Sequence, residues 1–208
     1  DTHSEELKRG ITIKLGYADI EIYHDEKEGY NIKGKGKKLR EVSFIDAPGH
    51  EMLMATMLSG AALVDVALLV VAANEGIKPQ TREHVMALQA KGIKKVIVIQ
   101  NKIDLVDEKR AKESYKEIQE FLKGKYDNAV VIPVSAQQDV NINLIWKALA
   151  EIPLPERNDE SIPVFLVARS FDINRPGISP QDLHGAVLGG TLKQGKLRVG
   201  DQIEMKPG

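Results

Sequence analysis

The 208-residue sequence contains no cysteine, which excludes disulfides and any zinc or iron–sulfur centre held by cysteine. It also lacks an excess of charge of either sign. With 29 Lys and Arg against 30 Asp and Glu, the net charge is −1, so any contact with RNA has to come from a local patch rather than a global field. No apolar run approaches the ~18 residues of a membrane span; residues 61–73 come nearest and are interrupted by Asp65. No secretory signal peptide is visible, so the cytoplasm is the default compartment and no membrane partner is expected. The phosphate-binding pattern GxxxxGK[ST] is missing as well. Its one look-alike, Gly29 to Gly34-Lys35-Gly36, fails twice: the residue after the lysine has no hydroxyl for a metal, and Lys37-Lys38-Leu39-Arg40 leads into a strand rather than an apolar helix. A glycine- and lysine-rich hairpin tip, joining a strand at 15–23 to one at 41–45, explains the same residues.

What is present begins with 42% hydrophobic residues, enough over this length for one good core and part of a second domain. The stretch 41–60, EVSFIDAPGHEMLMATMLSG, organises the rest. Val42, Phe44 and Ile45 predict a strand that ends in Asp46, Pro48-Gly49 makes a turn, and helical periodicity resumes from Glu51. Two more apolar runs follow in order. Residues 96–100 predict a buried strand that delivers Asn101-Lys102-Ile103-Asp104, and residues 130–134 predict another that delivers Ser135-Ala136. Three strands, each with a polar cluster at its carboxyl end, describe the rim of a nucleotide site in a doubly wound α/β protein. Alone, Asn-Lys-Ile-Asp also reads as a helix N-cap after a strand, and Asp-Ala-Pro-Gly as an ordinary turn.

Between these landmarks, residues 64–73 predict a buried parallel strand and 74–76 a turn. Residues 80–91 predict a helix with Val85, Met86, Leu88 and Ala90 inward. Residues 108–123 predict a helix laced with charges at i,i+4 spacing, and 140–151 the last helix of the domain, carrying Trp146. Three prolines among polar residues mark 153–163 as a linker. From Val164 the pattern turns to short alternating strands, including 186–188, 191–192 and 202–205, of the kind that open a β-barrel. The domains expected are therefore 1–152, a partial nucleotide-binding domain, and 164–208, the N-terminal part of a barrel. Both ends of the sequence read as cuts through a longer protein.

Asp-x-Pro-Gly-His, Asn-Lys-x-Asp and Ser-Ala, in this order, resemble the motifs of translational GTPases. Residues 54–62 (MATMLSGAA) and 168–177 (ARSFDINRPG) resemble in particular the gamma-subunit family of archaeal and eukaryotic translation initiation factor 2. The resemblance implies a P-loop-type GTPase domain, a mostly parallel sheet flanked by helices that here lacks its P-loop strand and helix, followed by the start of a β-barrel. It implies GTP/GDP and Mg²⁺ as cofactors. Asp104 would accept from the guanine N1–H and N2 amine together. Asn101 would tie the loop to the phosphate-side elements and contact the base edge, the Lys102 stem would cover the ring, and Ala136 N–H would meet O6 with Ser135 shaping the loop. Thr12 and Asp46 would serve Mg²⁺, Asp46 through water. Thr12 and Gly49 N–H would meet the γ-phosphate, and His50 would orient the attacking water. Implied partners are initiator methionyl-tRNA, the alpha and beta subunits of a heterotrimer, and the small ribosomal subunit. Relatives often carry a zinc knuckle near residues 24–40; this sequence has no cysteine for one, and no zinc site is carried over. Without a P-loop, the chain as given is expected to bind nucleotide weakly or not at all. Three other readings stay open: a selenocysteine-specific or elongation factor Tu type of tRNA-delivering GTPase, a non-catalytic scaffold, and an ATP-dependent enzyme.

Overall fold

In the computed structural model, residues 16–47, 64–154, 158–175, 177–182 and 184–206 are described. The expectations for Thr12, for Gly49 and His50, and for the helix at 51–60 lie outside these residues. The chain divides into two compact units, 1–153 and 154–208.

The first unit opens with an antiparallel sheet of β1 (Gly16–Asp25), β2 (Gly29–Asn31) and β3 (Lys37–Asp46), in the order β2-β1-β3. Ile20 stands opposite Val42, and one bulge interrupts the register after Ile22. The segment that mimics a phosphate loop, expected as a hairpin tip, is thus strand β2 and the turn that joins it to β3. Asn31, buried at 7% exposure, ties it together: its Nδ2 donates to the carbonyls of Gly29 and Lys35, and its Oδ1 accepts from Lys33 N–H. Gly36, at φ +87°, passes so close to the His24 carbonyl that a Cβ would stand 2.2 Å from its oxygen, so only glycine fits.

The second sheet is parallel: β4 (Ala67–Ala72), β5 (Val96–Asn101) and β6 (Val130–Pro133), in that order. Parallel strands need crossovers, and helices α1 (Pro79–Ala90) and α2 (Glu108–Leu122) provide them, while α3 (Ile142–Glu151) follows β6. Proline at its start suits α1, because the first N–H has no intrahelical partner. Asp107 caps α2, its Oδ1 accepting from Arg110 N–H at 2.7 Å.

Alternation along β5 assigns its side chains to two cores. Val96 and Val98 join Leu69, Val71, Val85, Leu88, Ile118 and Leu122, whereas Ile97 and Ile99 join Ile132, Ile145, Leu149 and Ile22. One face of the sheet is therefore covered by α1 and α2, the other by α3 and the antiparallel sheet. Phe44 meets the edge of Trp146, and Arg40 donates to the Leu149 carbonyl at 2.7 Å. Each fully buried aliphatic side chain contributes about 1.5–3 kcal/mol. Among the described residues β4 pairs only with β5, and Val70 on it is 58% exposed.

Four expectations are corrected. Met86 and Ala90 face outward, because the 100° helical step that buries Val85 and Leu88 turns them to solvent. The strand expected at 64–73 is shorter, since parallel pairing begins only where Ala67 meets Val96. In the second unit β7 (Val164–Asp172) pairs antiparallel with β8 (Ala186–Gln194), so the segments 186–188 and 191–192 are one strand. Gly190 lies within it because a Cβ there would stand 1.9 Å from the Leu166 carbonyl oxygen. Residues 202–205 form no strand. Among the described residues no helix is long and apolar enough to cross a membrane.

Candidate functional site

Parallel register brings the carboxyl ends of β4, β5 and β6 side by side: Ala72 pairs with Asn101, and Gln100 with Pro133. The ladder continues into the loops. Ala73 N–H donates to the Asn101 carbonyl at 2.8 Å, Val134 N–H to that of Gln100 at 2.8 Å, and Ile103 N–H to that of Val134 at 3.2 Å. The loops after β5 and β6 are thereby one hydrogen-bonded surface.

Asn101 joins them through its side chain. Its Oδ1 accepts from Lys102 N–H at 2.8 Å and from Ala136 N–H, 35 residues away, at 3.1 Å. The structure therefore brings together Asn101, Lys102, Ser135 and Ala136, with the Asn101 contact running to the Ser135-Ala136 loop. Lys102 takes a left-handed backbone, φ 63° and ψ 34°, which costs a non-glycine residue roughly 1–2 kcal/mol and persists only where neighbours hold it. Here the carboxamide holds it. The turn aims the Lys102 side chain out of the β5 line, and its Nζ lies 3.5 Å from Glu75 Oε1.

Ser135 is fully buried, and its Oγ accepts from Gln138 N–H at 3.1 Å. Ser135 and Val140 exchange both backbone hydrogen bonds, at 3.2 and 3.0 Å, which closes the loop. Asn141, also left-handed at φ 61°, donates from Nδ2 to the Pro133 carbonyl at 2.8 Å and so fixes where α3 begins.

Asp104 sits in the short 3₁₀ turn Ile103–Leu105 and is exposed. Asp107, not Asp104, is the cap of α2, so the N-cap alternative for Asp104 is set aside. Among the described residues no hydrogen bond or ion pair occupies the Asp104 carboxylate. Asp46 ends β3, and its carboxylate is exposed; an oxygen donor of that kind suits a hard cation such as Mg²⁺, which takes one or two carboxylates beside phosphate and water. Among the described residues no group of three metal-ligating side chains occurs. A shallow cleft of about 330 Å³ runs along the end of β4, lined by Ala72, Glu75, His84, Asn101 and Lys102 among others.

Sequence reasoning missed two residues that shape this rim. Gln100, 1% exposed, donates from Nε2 to the Ala111 carbonyl at 2.8 Å and ties α2 to the strand end; an amide closing an otherwise aliphatic run is the available signal. Glu75, the second, lies in a segment whose sequence predicts no more than a turn. In the basic stretch 33–40, in contrast, two of the five cations are paired with carboxylates. Lys35 pairs with Glu28 and Lys38 with Glu21 and Glu41, which hold both ammonium groups above the ordinary lysine value through their hydrogen bonds.

The sequence profile of the elongation factor Tu GTP binding domain matches residues 1–155. The chain belongs to that family. Translation initiation factor 2 subunit gamma of Methanococcus maripaludis is 54% identical over the whole chain and 54% of its own length. The Methanocaldococcus jannaschii subunit is 54% identical, with 53% of its length covered. This GTP-binding-domain chain therefore spans about half the length of the curated relatives it matches. Among solved structures, a bacterial selenocysteine-specific elongation factor aligns with TM-score 0.74 at 30% identity, over 97% of the chain and 31% of that protein. Elongation factor SelB from Methanococcus maripaludis, in complex with the GTP analogue GppNHp, aligns with TM-score 0.70 at 29% identity, over 91% of the chain and 38% of its own. Identity to the initiation-factor subunits is well above that to the selenocysteine factors, so the selenocysteine reading is not favoured.

Proposed function

We propose that this chain forms the guanine-binding side and the following barrel start of a translation initiation factor 2 gamma subunit, a cytoplasmic GTPase. The observation that carries the reading is the Asn101 clamp, which holds Asn101-Lys102-Ile103-Asp104 against Ser135-Ala136 at the ends of neighbouring parallel strands. Asp104 accepts from the guanine N1–H and N2 amine; adenine presents no such donor pair. The Lys102 stem covers the purine face, and Ala136 N–H turns from Asn101 toward O6. Bound Mg²⁺ would neutralise charge on the β- and γ-phosphates. Asp46 would meet it through water and Thr12 directly, Thr12 and Gly49 N–H would bind the γ-phosphate, and His50 would orient the attacking water in hydrolysis to GDP and phosphate. In the assembled factor the subunit carries initiator methionyl-tRNA to the small ribosomal subunit, with alpha and beta subunits bound to it.

Among the described residues one edge of β4 has no partner strand, and it suits a further parallel strand such as one that leads into a phosphate loop. Calorimetry with Mg²⁺ tests the reading on two proteins: this 208-residue chain, and the same chain extended N-terminally through a GxxxxGK[ST] segment. The extended protein is expected to bind GDP and GTP, the shorter one at least 100-fold more weakly. No binding by either would leave a scaffold in place of a GTPase.

A further inference from the structure

Lys102 has four rotatable side-chain bonds, and ordering a lysine costs up to ~2 kcal/mol of entropy. A stem that is to cover a purine face gains from being laid out beforehand. Three features do this. The left-handed backbone of Lys102 fixes its Cβ direction, the Asn101 carboxamide fixes its amide, and Glu75 Oε1 stands 3.5 Å from its ammonium.

Glu75 is itself on a constrained turn. Glu75 N–H and Gly76 N–H both donate to the Ala72 carbonyl, at 3.1 and 2.9 Å. Gly76 is left-handed at φ +70°, and a Cβ on it would stand 2.9 Å from Glu117 Oε2 and 3.2 Å from Arg110 Nη2, so the turn is seated on the Arg110–Glu117 ion pair of α2. That pair closes at 2.7 Å. The other Glu75 oxygen faces Lys78 at 3.6 Å, which leaves Oε1 to Lys102.

We infer that Glu75 is a positioning residue for the purine site: its carboxylate holds the Lys102 ammonium toward the β4 turn, so that the aliphatic stem is already extended when the base arrives. The inference rests on the guanine-site reading above. An exposed pair contributes little to stability, so its signature is in nucleotide affinity and in coupling to Lys102, not in unfolding.

The test is a double-mutant cycle in the N-terminally extended, nucleotide-binding protein, with GDP dissociation constants for the parent, Glu75→Gln, Lys102→Met and the double variant. Methionine keeps an apolar stem and removes the charge. Glu75→Gln is expected to weaken GDP about three- to fivefold, to do so less at 1 M salt, and to add nothing in the Lys102→Met background. Lys78→Met, which removes the competing ammonium, is expected to leave GDP affinity within about twofold. An equal loss from Glu75→Gln in both backgrounds, or no loss in either, overturns the positioning role while the site stands. Absence of GDP binding by the parent overturns the site reading, and this inference with it.

Discussion

The two units treat apolar strands in opposite ways. In the first, Val98 at the centre of β5 is fully buried, because α1 and α2 cover one face of the sheet and α3 with the antiparallel sheet covers the other. In the second, β7 and β8 also carry large apolar residues, yet Leu166 is 37% exposed, Phe171 42% and Val187 52%. No described hydrophobic residue of the second unit is among the buried core. The strands differ too, nearly continuous in aliphatic residues in β4 to β6 and interrupted by polar residues and glycine in β7 and β8, as buried parallel and one-sided antiparallel strands do. A two-stranded sheet on its own is marginal, whereas the parallel sheet carries a core that can hold loops rigidly at its rim.

The sharpest way to break this contrast is a matched truncation. Ile118→Ala, at a fully buried position of α2, is expected to cost about 3–4 kcal/mol. Leu166→Ala, with less area out of water, is expected to cost under about 1 kcal/mol. Urea unfolding of the two variants checks it, and equal losses would mean that the second unit has a core of its own. In that unit the strict constraint is backbone approach, not side-chain packing. Gly190→Ala would push a Cβ into the Leu166 carbonyl and is expected to cost about 2 kcal/mol by forcing the strands apart, read as faster proteolysis between residues 158 and 206. Gly185→Ala, where nothing lies within 4 Å, is the control and should be silent.

The smallest effect concerns pH at the hairpin of the first unit. Asp25 Oδ1 accepts from the backbone N–H of Glu28 and of Lys27, and these bonds hold its carboxyl below the ordinary aspartate value. Because the folded-state value is depressed, the stabilisation is present above the ordinary value and is lost as the pH falls through the depressed one. The protection factors of the Lys27 and Glu28 amides, taken relative to intrinsic exchange at each pH, should therefore fall in acid. In Asp25→Asn, which accepts without titrating, the acid step should vanish; its persistence would place the titrating group elsewhere.

Much of the first unit was legible because its signals are local. An apolar run of four residues that leads through Gln100 to Asn101, and another that leads to Ser135, can be read where they stand, and the three described helices expected from the sequence lie within two residues of their observed ends. The hairpin at Gly34 to Gly36 was legible because it failed the chemistry of a phosphate loop. What was not legible lies across the fold or in phase. Nothing local reveals that Asn101 Oδ1 meets an amide 35 residues on, that a lysine takes the left-handed turn, or that Glu75 reaches it. Apolarity alone puts Met86 and Ala90 inward, whereas phase relative to Val85 and Leu88 decides. Residues 202–205 alternate like a strand but have no partner strand among the described residues, and alternation without a partner is not a sheet.

The central claim is that Asp104 reads guanine, and its direct measurement is base selectivity. In the N-terminally extended protein, Asp104→Asn replaces a two-oxygen acceptor with an amide that can donate, matching xanthine, which carries a carbonyl in place of the guanine amine. The account predicts that GDP binding weakens by about 10- to 100-fold while xanthosine diphosphate binding strengthens by a similar factor. Unchanged preference for GDP in the variant would contradict the assignment of Asp104 and, with it, the reading of this rim as a guanine site.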